Sequence, residues 1–117
     1  MGRKYRYEFT KKVYPEYIVF LVVKNKYVTY GLDLDLVNYI INENKIRNTY
    51  GKKRKSTEIN IFNLLDRYKI NYLILDNLDI ITKKDYLDNN YNKYIYLFIL
   101  NKVINNIGNN LVKTSLL

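Results

Sequence analysis

Tyr17-Ile18-Val19-Phe20-Leu21-Val22-Val23 consists only of β-branched, aromatic and leucine residues, the content of a central strand rather than a surface one. Pro15 fixes the entry to this run, and Lys24-Asn25 makes a two-residue turn after it. Lys26 to Tyr30 then alternates polar and apolar residues like the second arm of a hairpin, and Gly31 closes the unit. A chain that opens this way is committed to a sheet.

Helices are expected around that sheet. Asp33 is suited to cap a short helix with Leu34, Val37, Ile40 and Ile41 along one stripe, ending near Asn42 to Asn44. Lys45 to Lys55 holds six cations and no acid, and Gly51 at its middle suggests a strand and turn. Ser56 or Thr57 then caps an amphipathic helix reaching Lys69, and Ile70 to Leu75 has strand length. From Lys83 a long final helix is expected to run to Ile107, with Gly108 at its C′ position. The order strand, strand, helix, strand, helix, strand, helix predicts an α/β (α+β) fold. It has a mixed sheet, an antiparallel opening hairpin, flanking helices and a long C-terminal helix. With 117 residues, no internal repeat and no Gly/Ser/Pro-rich linker, one domain over 1–117 is expected.

Tyr14-Pro15-Glu16 together with the hairpin Tyr17 to Tyr30, Gly31, Leu32 and Asp33 resembles the opening of the N-terminal mismatch-recognition domain of MutS DNA repair proteins. Tyr27, Tyr30 and Asp33 fall on that family's pattern of a strand, an aromatic residue and an acidic helix start. The helix before Lys69 and the strand Ile70 to Asp76 are similar to the family's helix and strand after its basic hairpin. The resemblance covers residues 14–76 and leaves the helix at 83–107 outside. It implies a MutS domain I-like fold and a DNA-related role. It does not carry over the mismatch reader: Lys26 stands where the family has its stacking Phe, and Val28 where it has its base-contacting Glu.

Composition limits the chemistry. Without Cys or His there is no disulfide, no thiolate or imidazole ligand and no His-based triad. No cofactor is implied. Ala and Gln are also absent while Asn, Ile, Lys and Tyr abound, a pattern of AT-rich coding that discounts each tyrosine and lysine as a site. Lys and Arg nevertheless exceed Asp and Glu by 20 to 11, a net charge of +9. Residues 1–58 carry 13 basic and 6 acidic side chains, or +7, and residues 59–117 carry 7 and 5, or +2. No apolar run approaches the roughly 20 residues that span a bilayer. With no signal-peptide pattern at the start, a cytoplasmic protein without a membrane partner is expected.

The function expected from these features is a small non-catalytic nucleic-acid-binding module, with DNA ahead of RNA. Its candidate contacts are Lys24, Lys26, Lys45, Arg47, Lys52, Lys53, Arg54 and Lys55, joined by Arg3, Lys4, Arg6, Lys11 and Lys12, with Tyr27 and Tyr50 as stacking surfaces. Strand alternation favours the core for Tyr27, and a solvated lysine-rich tip is the alternative for 45–55. A homodimer through Tyr86 to Ile107 is the second expectation. The third is a metal-dependent nuclease built on Glu43-Asn44-Lys45 with Asp33 or Asp35.

Overall fold

A computed structural model describes residues 2–49 and 60–115. Helix α1 (Arg3–Val13) leads into β1 (Ile18–Val23) and β2 (Lys26–Val28), followed by α2 (Gly31–Thr49) and α3 (Ile61–Tyr68). Strands β3 (Tyr72–Asp76) and β4 (Asp79–Lys84) come next, and α4 (Tyr91–Ser115) ends the chain. The four strands form one mixed sheet in the order β2-β1-β3-β4. β1 pairs parallel with β3, and both hairpins are antiparallel. This is the expected α+β class with its antiparallel opening hairpin.

Alternation along the two central strands divides the core. Ile18, Phe20, Tyr72 and Ile74 face Leu36, Val37 and Ile40 of α2, Leu64 and Leu65 of α3, and Tyr91 of α4. Val19, Leu21, Leu73 and Leu75 face the other way and pack with Tyr7 of α1. β1 and β3 are therefore covered on both faces, which is why their sequences are unbroken apolar runs.

Four expectations are corrected. Residues 83–84 belong to β4, and α4 starts at Tyr91 and continues past Gly108. Asn89 sets that start: its Oδ1 accepts from the Tyr91 N–H at 3.1 Å and also from the Asn71 N–H at 2.9 Å. The second helix runs past Asn44 to Thr49, so Lys45 and Arg47 lie on a helix and not in a strand. At the start of α3, Asn60 is the cap, accepting from the Phe62 N–H at 3.0 Å; Ser56 and Thr57 lie outside the described residues. Helix α1 and strand β4 are further elements, and no helix among the described residues is long and apolar enough to cross a membrane.

Candidate nucleic-acid interface

The tip of the first hairpin is a tight turn with φ of 48° at Lys24 and 63° at Asn25. Positive φ at both central residues matches the right-handed twist of the flanking strands, which is why a two-residue loop suffices. Asn tolerates this region, but a lysine there costs about 1–2 kcal/mol. Lys26 pairs with Val23 and Tyr27 with Val22, so both lysines sit within three residues of Tyr27 at the turn, with the Lys26 side chain on the opposite face of the strand. Lys24 and Lys26 are exposed.

Tyr27 does not point into the core. Its side chain is 55% exposed and its ring meets Phe62 edge-on, with centroids 4.8 Å apart. Alternation turned it to the α3 side of the sheet, as expected, but β2 is an edge strand and Phe62 covers only one side of the ring.

Connectivity decides which helix start lies beside this turn. The short link Tyr14 to Tyr17 returns the chain between α1 and β1, and the start of α1 lies against the β3–β4 hairpin, where Tyr5 and Arg6 face Asn77 and Leu78. The short link between α3 and β3 puts the start of α3 beside Tyr27. The N-terminus of α3 adds partial positive charge there. Lys45 is exposed on α2, away from the hairpin in sequence, and Arg47 is on the same helix. Tyr50, Lys52, Lys53, Arg54 and Lys55 lie outside the described residues; the sequence places the last four five to eight positions before Asn60.

One cation expected at the surface is turned inward. Lys11 Nζ donates to Asp33 Oδ1 at 2.8 Å, to the Tyr91 hydroxyl at 2.9 Å and to the Tyr17 carbonyl. Asp33 is fully buried and does not cap its helix. Its oxygens also accept from the Tyr7 hydroxyl at 2.8 Å, the Tyr91 hydroxyl at 2.7 Å and the Val19 N–H at 3.2 Å. This knot ties α1, α2, α4 and β1 together. Burial lowers the Lys11 pKa, with Asp33 opposing the shift, and burial followed by the Asp33 charge raises those of Tyr7 and Tyr91. With every Nζ donor engaged, the knot positions the elements around it and presents no free base. Among the described residues, no three acidic side chains come together as a metal-holding group.

A second polar cluster was also hidden in the sequence. Asn89 Nδ2 donates to the Glu16 carbonyl at 2.8 Å, Asn90 Nδ2 to the Tyr68 carbonyl at 2.9 Å, and Asn71 Oδ1 accepts from the Tyr86 N–H at 2.7 Å. Asparagines that composition alone assigns to codon bias thus satisfy backbone groups at the end of the sheet opposite the turn.

The fold and this end define a small α+β domain with a basic, tyrosine-flanked hairpin tip. Compared with protein-family models, curated proteins and solved structures, the chain finds no match.

Proposed function

We propose that this chain is a non-catalytic nucleic-acid-binding module that grips phosphates with the Lys24–Lys26 turn and stacks a base on the open face of Tyr27. The observation that carries the reading is the strained lysine. At Lys24 a glycine or asparagine would satisfy the turn without cost, and strain retained at an exposed tip is characteristic of binding loops. The net charge of +9, to which Lys52, Lys53, Arg54 and Lys55 contribute, supplies long-range attraction. The resemblance to the MutS mismatch-recognition domain supports a DNA ligand. With Lys26 and Val28 in place of the reader pair, it supports backbone contact without mismatch reading.

Labelled duplex and single-stranded DNA titrated across a salt series test the proposal. Wild type is expected to bind with affinity falling steeply with salt. Lys24→Gly with Lys26→Ser is expected to reduce the log–log slope on duplex by roughly 1.8, at about 0.9 for each phosphate that is no longer neutralised. Because glycine relieves the turn, the same variant should be no less stable than wild type. Equal slopes for the two proteins would refute the assignment.

Helix α4 favours a second, compatible reading as a homodimer. Tyr96, Ile99, Leu100, Val103, Ile104 and Ile107 are 39–65% exposed, and their spacings of three and four residues form one apolar seam. Lys102 is the only charged residue from Tyr94 to Ile107, so a second copy meets the seam without bringing like charges into its centre. Light scattering is expected to give twice the 14.2 kDa chain mass, persisting at high salt, and Val103→Glu is expected to give the monomer. A monomeric wild type at micromolar concentration would end this reading.

A further inference from the structure

Helix α1 carries two apolar faces, and only one has a partner. Tyr7 points into the core, whereas Tyr5, Phe9 and Val13, spaced four apart, form a second stripe that is 58–62% exposed. The stripe faces the β3–β4 hairpin across a groove of about 440 Å³, whose opposite wall is Leu75, Leu78 and Ile80. Leu78 sits at the hairpin tip, next to Asn77 with φ of 56°, and is 72% exposed. The groove arises because α1 covers β1 and β3 but leaves β4 bare. Its volume lies within the range of small-molecule sites, which are mostly apolar with a few placed polar groups.

Arg6 supplies such a group. It lines the groove, and its Nε is buried without a hydrogen-bond partner among the described residues. Neither Glu8 on its own helix nor Asp76 or Asp79 at the hairpin forms an ion pair with it; the ion pairs among the described residues are Lys11–Asp33 and Lys83–Asp85. A buried N–H left unpaired is costly, and a guanidinium edge presents parallel N–H donors matched to a carboxylate.

We propose that the groove binds a small amphipathic carboxylate, an acyl or aryl acid whose apolar body lies between Phe9, Val13 and Leu78 and whose carboxylate accepts from Arg6. The apolar walls select the body, and the unpaired cation selects the head. The site is separate from the hairpin turn, so it stands whether or not the chain binds nucleic acid.

Decanoate is the probe and decanol the neutral comparator, each titrated below its micelle concentration by calorimetry and by amide chemical shifts. Decanoate is expected to bind saturably, one per chain, shifting the amides of Leu78 and Ile80, and decanol to bind about tenfold more weakly, the difference of one charge-assisted hydrogen bond. Arg6→Gln is expected to bring decanoate down to the level of decanol and leave decanol unchanged. Leu78→Asn, at an exposed turn position, is expected to weaken both, with far-UV circular dichroism showing that each variant folds. Decanoate binding that ignores Arg6→Gln, or shifts confined to α4, would overturn the proposal. So would a self-associated species that Phe9→Ser dissociates in a protein that takes up no decanoate, because the groove would then belong to a second copy.

Discussion

Asp33→Ala is expected to remove about 3–5 kcal/mol of folding stability, a large share of the roughly 5–15 kcal/mol of an ordinary domain. The carboxylate has no exposed surface and is the common acceptor for Lys11, Tyr7, Tyr91 and the Val19 N–H. Deleting it leaves a cation, two hydroxyls and an amide short of their acceptor at once. Lys11, with only 22% of its side chain exposed, would then be a largely buried and unneutralised charge. Removing that charge as well should help: Lys11→Met in the Asp33→Ala background is expected to recover part of the loss. Lys11→Met alone should cost less than Asp33→Ala, since the carboxylate retains three donors. Urea denaturation of the two single variants and the double variant at neutral pH gives the coupling directly. A loss below about 1 kcal/mol for Asp33→Ala would place the pair with exposed ion pairs and contradict the knot.

Asp33 also shows where reading the sequence succeeds and where it stops. The run Tyr17 to Val23, its two-residue turn and the return strand are local patterns, and each occurs where the residues predict it. The stripe of Leu36, Val37 and Ile40 is equally local. Asp33 before that stripe reads as a helix cap because a cap is the local use of an aspartate. Its actual partners are 14 to 58 residues away, and no spacing rule reaches them. Strand β4 was hidden for a related reason. Only one of its edges is paired and its residues are mostly exposed, so Asp79 to Lys84 lacks the buried pattern that marks a strand. Helix α1 carries six charged residues in eleven and buries only Tyr7, so what holds it is the distant contact of Tyr7 with Tyr30 and Asp33. Within the candidate interface, the sequence placed Lys24 and Lys26 in a turn. The exposure of Tyr27 depended on β2 being an edge strand, which is a property of sheet order.

Above pH 10 the fold is expected to lose stability steeply. Burial first, and the Asp33 charge second, hold the Tyr7 and Tyr91 hydroxyls protonated well beyond the ordinary value of 10.0. Burial and then Asp66 push Tyr72 up to about 12, and Tyr86, which donates to the same carboxylate, is raised by burial and that bond. In the unfolded chain these phenols ionise near 10, whereas in the folded chain they keep their protons. Their contribution is therefore whole below pH 10 and declines as pH climbs from 10 toward the folded values. The two buried phenols Tyr7 and Tyr91 each change stability by up to about 1.36 kcal/mol per pH unit, so together they give a fall of about 2.7 kcal/mol per unit. Lys11 acts in the opposite sense. Burial lowers its pKa, so the folded chain releases that proton before the unfolded one does, offsetting one tyrosine up to the ordinary lysine value of 10.5 and none beyond it. The steepest decline thus belongs above 10.5. Urea midpoints at about pH 9, 10 and 11, with tyrosinate absorbance recorded on the folded protein, measure both sides of the linkage. Tyr91→Phe removes one of the two central phenols and should make the alkaline slope shallower by about 1.36 kcal/mol per unit. A stability that stays level through this window, with all the tyrosines ionising near pH 10 in the folded chain, would mean that water reaches Asp33 and its partners and that nothing is buried there to tie α1 and α4 to the sheet.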